Sequence, residues 1–289
     1  MKKLSFLLAL LLVVAMLPAC SRTPAAQVAA TTLPVYEFTA ALCDGTGITV
    51  TRLVDESVSC LHDYSLSVSQ VKALEAAETV VISGAGLEEF MEDLLPQDTI
   101  DSSVGIEALE CEEHDHNHDH DHHHAQDSHI WLSPANASVM AQNICAGLSA
   151  KYPQHKGTFE KNLQGLLAKL DALQAYGETQ LQQLHCRDLV TFHDGFAYFS
   201  AAFDLHILHA IEEESGREAS AQELKHLIGI VREHELPAVF TECNGSVSAA
   251  DIICAETGAV SYALDMAMGG DSYFDAMYHN IDTIKEALG

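Results

Sequence analysis

The sequence predicts an α/β protein of two lobes, each built on a parallel sheet, bridged by one long rigid helix. Three observations lead there. In both halves, short β-branched runs alternate with amphipathic stretches, the pattern of successive β-α-β units. Ser67 with Gln70 and Ser220 with Glu223 have capping-box spacing, which marks helix starts directly after loops. Between the halves, residues 156–184 carry Phe159, Leu163, Leu166, Leu167, Leu170, Leu173 and Tyr176 at spacings of three and four, the stripe of a single amphipathic helix.

The elements follow in order. Lys2-Lys3 precedes an apolar run from Leu4 to Leu17, shorter than the roughly 20 residues of a membrane span, so residues 1–19 read as a secretion signal. The run ends in "LPAC", which resembles the bacterial lipobox. That resemblance implies that Cys20 is acylated, anchoring the mature chain to the outer face of the cell membrane, with residues 20–26 as a tether. The first lobe spans residues 27–152: "QVAATT", "GITVTRLV" and "TVVISG" read as strands, with "PVYEFTAALC" and "SVSQVKALEAAE" as helices between them. Ser133 before Pro134 pairs an N-cap with a proline suited to the first helical position, starting a helix that runs to about Ala150. Residues 153–185 form the linking helix, whose stripe keeps no strict heptad and so is not a coiled coil. The second lobe, residues 186–289, holds strands at "DLVTF", "HILHAI", "AVFTE" and "AVSYAL", and the helix capped by Ser220 ends near "REHE".

Composition narrows the function classes. With 14 Lys and Arg against 42 Asp and Glu, the formal charge is -28, which repels nucleic acid and anionic lipid and concentrates cations. One Trp and 7% aromatics do not make a stacking platform for bases. Without Cys20, the cysteines are Cys43, Cys60, Cys111, Cys145, Cys186, Cys243 and Cys254. That number is odd and contains no CxxC pair, so at least one thiol is free or engaged with a partner.

Histidine is concentrated where chemistry is expected. His114, His116, His118, His120, His122, His123 and His124, interleaved with Asp115, Asp119 and Asp121, lie in a loop at 111–128. Imidazoles and carboxylates at this density offer overlapping sets of borderline ligands, suited to zinc, copper or nickel rather than calcium or magnesium. On a loop without fixed geometry, these sets are expected to be weak, auxiliary metal sites. Three isolated histidines, His62, His129 and His193, fall at strand ends or before helix starts, and Asp265 follows the last strand. Such loops line the crevice at the carboxyl edge of an α/β sheet, where residues distant in sequence converge.

The motifs "HDYSLSVSQ", "HIWLSPAN" after the His-Asp run, "FHDGFAYF", "VFTECNGS" and "LDMAMGGDSYFDAMYHNIDTIKEAL" resemble the zinc-binding substrate-binding lipoproteins of bacterial ABC importers, in the manganese and zinc cluster. The resemblance covers nearly the whole mature chain. It implies a monomeric zinc receptor that serves an ABC permease, with the metal in the cleft between the lobes. It also implies the ligands His62, His129, His193 and Asp265, with Glu242 or a water as the substitute for Asp265, and Asp194 and Glu242 as acceptors for the free N–H of a ligating imidazole. The sequence departs from the family pattern where Leu61 replaces the proline before the first histidine, and at Asp127-Ser128-His129 and Leu264-Asp265-Met266-Ala267. Related manganese carriers have a carboxylate where His193 stands, and three imidazoles with one carboxylate favour Zn²⁺ over Mn²⁺.

Two other readings use the same ligands. A zinc hydrolase would hold the metal with three protein groups and a water. However, Ala238 stands where a second histidine after His234 would complete HExxH, and there is no GxSxG. A stand-alone metal buffer or adhesin would differ only in its partners.

Overall fold

The computed structural model describes residues 27–55, 61, 64–109, 127–210, 220–243 and 248–289. The secretion signal, Cys20 with its tether, His62 and the seven histidines from His114 to His124 lie outside the described residues.

The first lobe runs β1 (Val28–Ala30), α1 (Leu33–Cys43), β2 (Val50–Arg52), α2 (Val68–Ala76), β3 (Thr79–Ile82), a 3₁₀ turn at Glu89–Leu94, β4 (Ile100–Asp101) and α3 (Pro134–Lys151). After α4 (Lys156–Gln180), the second lobe runs β5 (Asp188–Thr191), α5 (Ala197–Phe203), β6 (His206–Ala210), α6 (Ala221–Glu233), β7 (Ala238–Glu242), α7 (Ser248–Thr257), β8 (Val260–Leu264) and α8 (Tyr273–Leu288). Each lobe holds a four-stranded sheet, ordered β2-β1-β3-β4 and β6-β5-β7-β8, and the observed pairings are parallel. The two sheets therefore share one topology. In each, the chain leaves the first strand toward one edge and returns to its other side, creating a switch point between β1 and β3 in the first lobe and between β5 and β7 in the second.

The local chemistry explains these elements. Central strands β1 and β7 are buried at every residue, as expected when helices cover both faces of a parallel sheet. Both capping boxes form: the Ser67 and Ser220 hydroxyls accept from the Gln70 and Glu223 N–H groups, and the latter side chains accept from the serine N–H groups. Ser133 Oγ accepts from the Asn136 N–H at the head of α3.

The strands anticipated at 27–32 and 47–54 are shorter, three paired residues each. The linking helix ends at Gln180 rather than near Leu184, and a 3₁₀ turn at Pro153–His155 precedes it. β4 and α5, of two and seven residues, are too short to show a period in the sequence.

α4 does more than span a gap. At 1.5 Å per residue it is about 37 Å long. Its buried side, Phe159, Leu166, Leu170, Leu173 and Gly177, belongs to or borders a hydrophobic cluster that includes Val28 and Phe38 of the first lobe and Phe240, Leu264 and Ile281 of the second. An added Cβ on Gly177 would fall 2.2 Å from the Phe203 ring, so only glycine lets α4 approach α5 this closely. Tyr176 Oη donates to Asp282 at 2.6 Å and completes the seam with α8.

At the carboxyl edge of the first sheet, Glu88 ties β1 to β3. Its carboxylate accepts from Thr31 Oγ1 at 2.6 Å, from Ser83 N at 2.8 Å and from Gly84 N at 2.9 Å. Burial pushes its pKa up to about 7 from the ordinary 4.5, against the opposing pull of these donors. A folded-state pKa above the unfolded value means that folding takes up a proton between about pH 4.5 and 7. Stability should therefore fall as pH rises through that window, by at most on the order of 3 kcal/mol, and level off above it. Urea unfolding at pH 5, 6 and 8 should show this slope, and Glu88→Gln should flatten it.

Candidate metal centre

His129 sits between Asp127 and the 3₁₀ turn Ile130–Leu132 that leads into α3. Asp127 Oδ1 accepts from the His129 backbone N–H at 2.8 Å and contacts its Nδ1 at 2.8 Å. One carboxylate thus fixes both the turn and the ring. Asp127 and His129 are both buried.

His193 approaches from the second lobe. It lies two residues beyond β5, where the Thr191 hydroxyl donates to its carbonyl at 3.0 Å. Its Nδ1 lies 2.8 Å from Oε1 of Glu242, the last residue of β7. The second sheet's switch point, between β5 and β7, therefore supplies both the imidazole and the carboxylate that holds it.

The two rings meet across the lobes. Nε2 of His193 is 3.3 Å from Nε2 of His129, with ring centroids 5.1 Å apart and planes at 88°. A carboxylate at Nδ1 selects the tautomer with its proton there and leaves the lone pair on Nε2. Two such lone pairs facing at 3.3 Å repel unless a proton or metal ion lies between them. Two nitrogens bonded to one tetrahedral zinc at 2.0–2.1 Å stand about 3.3 Å apart, so the pair already has the spacing of two zinc ligands.

Neighbouring groups hold this geometry. The Trp131 ring lies 5.3 Å from the His129 ring, and its Nε1–H donates to the Met266 carbonyl at 2.8 Å. Buried Asn280 clamps both backbone polar groups of Asp265, accepting from its N–H and donating to its carbonyl, each at 2.7 Å. Asp265 Oδ1 accepts from the Ala267 N–H at 2.7 Å, and Ala267 has a left-handed φ of 54°. This turn brings Met266 against the histidines. Gly195 completes the fit: a Cβ there would come within 2.6 Å of His193 Cδ2 and Met266 Cε, and 3.0 Å of His129 Cε1. Gly195→Ala should force the rings apart and weaken zinc binding on the order of tenfold, a loss typical of disturbing the groups that orient metal ligands. Calorimetric zinc titration measures it, and an unchanged affinity would show that the rings move without cost.

Of the four expected ligands, His129 and His193 are brought together. His62 is outside the described residues, and Asp265 directs one carboxylate oxygen into its own turn. Among the described residues, no three of His, Cys, Asp and Glu gather into a group able to hold a metal ion. The sequence points to Glu242 and Asp194 as imidazole acceptors. Glu242 holds that position at His193, but at His129 the carboxylate is Asp127, which was missed in that role. Its signal was the Asp-x-His spacing, in which an Asx turn bonds the backbone two residues on. Trp131 and Gly195 carried no local signal, because their importance lies in contacts between lobes.

Comparison with known proteins gives a consistent picture. A family described as "Zinc-uptake complex component A periplasmic" matches residues 28–287. The chain is 32% identical to the zinc-binding lipoprotein AdcA of Streptococcus pneumoniae across 99% of its own length, and spans 61% of that longer protein. It is 30% identical to the high-affinity zinc uptake system protein ZnuA of Bacillus subtilis, covering 91% of this chain and 87% of the relative. A crystal structure of a ZnuA superposes with a TM-score of 0.78 at 30% identity, covering 91% of this chain and all of that one.

Proposed function

Because the chain belongs to the family of periplasmic zinc-uptake components, we propose that it is an extracytoplasmic high-affinity receptor for Zn²⁺, tethered to the membrane through Cys20, that hands its ion to an ABC permease. The observation that supports this best is the His129–His193 pair, one imidazole from each lobe, each oriented by a carboxylate and spaced for one zinc ion. His62 and Asp265 complete the coordination in this proposal, with Glu242 or a water taking the place of Asp265 where needed. Nitrogen-rich coordination favours Zn²⁺ over Mn²⁺.

No bond in a substrate has to break. Zinc is the cargo, and the chain's task is to desolvate it, hold it between the lobes and release it. Ligation requires neutral imidazoles, so capture should weaken as pH falls through the histidine range. Trp131 is the only tryptophan, and its ring packs against His129, so zinc binding should change the intrinsic fluorescence. The test is a fluorescence and calorimetric zinc titration of the purified chain, run beside an assay for hydrolytic turnover. One tight site without turnover supports the receptor. Zinc-dependent hydrolysis, or no tight site, overturns it.

The histidines from His114 to His124 act in this proposal as a weaker collector next to the centre. Deleting Glu112 to His124 should remove several weak sites and slow zinc uptake at low zinc, while leaving one tight site per chain. If the tight site is lost with the run, those histidines are primary ligands instead.

A further inference from the structure

We propose a second metal site on the outer flank of the second lobe, formed by His209 of β6 and His226 of α6, for a borderline divalent ion such as Zn²⁺, Ni²⁺ or Cu²⁺. It shares no residue with the centre between the lobes.

The site arises from an irregularity in an edge strand. Among the described residues, β6 lies at the end of its sheet and has β5 as its one partner strand. Its register steps from Leu189↔Ile207 to Val190↔His209, so Leu208 is skipped. In a regular strand, His209 would point to the same face as Ile207, which packs against the main core. The bulge instead places it on the face of its partner Val190, which packs in a separate cluster with Leu227 and Val231 of α6. Bulges re-aim side chains in this way. His226 directly precedes Leu227 on α6 and is exposed.

The spacing and tilt of the two rings resemble those of the first pair. The His209 and His226 rings have centroids 5.4 Å apart and planes at 84°, against 5.1 Å and 88° for His129 and His193. With zinc–nitrogen bonds of 2.0–2.1 Å, the centroids of two imidazoles on one tetrahedral ion stand about 5.2 Å apart, and both pairs lie close to that value. Two imidazoles are an incomplete set, so water fills the remaining positions and binding is weaker than at the centre between the lobes. Glu223, one turn before His226 on α6, adds negative charge nearby without being a required ligand.

The experiment uses the chain lacking Glu112 to His124, titrated with zinc chloride by calorimetry. Two classes of site are expected, one tight and one weaker. His226→Asn should weaken the second class on the order of 10²-fold, the loss on reducing a two-point attachment to one, while the tight site stays within about twofold of its starting affinity. His209→Asn should do the same. His206→Asn is the control: that residue lies on the same strand, beside Asp188, and should leave both classes unchanged. After zinc fills the tight site, one equivalent of Cu²⁺ should show two-nitrogen hyperfine coupling, reduced to one nitrogen in either variant. A single class of site, or a second class that survives both His209→Asn and His226→Asn, overturns the proposal.

Discussion

His193→Ala is expected to abolish tight zinc binding, lowering affinity by about three orders of magnitude or more, ~4 kcal/mol. The loss comes from removing a donor whose lone pair already faces that of His129 at 3.3 Å. The variant also leaves Glu242 buried with no imidazole at its Oε1 contact, which lowers folding stability with or without zinc. His129→Ala should behave alike, freeing Asp127 from the ring while keeping its backbone contact only. Asp265→Ala should lose less, because Glu242 or water can substitute, and its main cost is the Ala267 turn. Competition titration against a zinc chelator gives these constants. If either histidine variant keeps wild-type affinity, the pair is not the metal centre.

Trp131→Ala should cost about 3–5 kcal/mol of folding stability and weaken zinc binding as well. The side chain is fully buried, and its Nε1–H reaches across to the Met266 carbonyl of the other lobe. The Trp131 carbonyl accepts from Tyr273 Oη at 2.8 Å, and the Tyr273 N–H donates to Glu37 of α1 at 2.6 Å. The substitution therefore opens a cavity at the junction, strips the Met266 carbonyl of its donor and removes the tilted ring against which His129 packs. Trp131→Phe separates these effects: it keeps most of the volume but loses the N–H, so about 1–3 kcal/mol should go with the hydrogen bond alone. Urea unfolding with parallel zinc titration reads both. A Trp131→Ala loss below about 1 kcal/mol would mean that the lobes are tied elsewhere.

Much of this architecture is a local property of the chain. Each strand–helix alternation, each capping box and the long stripe of α4 express interactions within a few residues of one another, so they can be read without knowing where the lobes lie. The histidines at loop positions were also legible, because the carboxyl edge of a parallel sheet is where loops converge. The two-lobe class and the linking helix were thus legible in the sequence, and His129 and His193 stood among its four candidate ligands. Tertiary structure decided the rest. Why residue 195 has no side chain, and that Trp131 braces the site, depend on groups brought together from opposite lobes. The same holds for His209, whose direction reverses because one residue of β6 is skipped against β5. Periodicity records which residues share a face of one element, but contact between elements depends on how those elements pack and on register, which no local pattern contains.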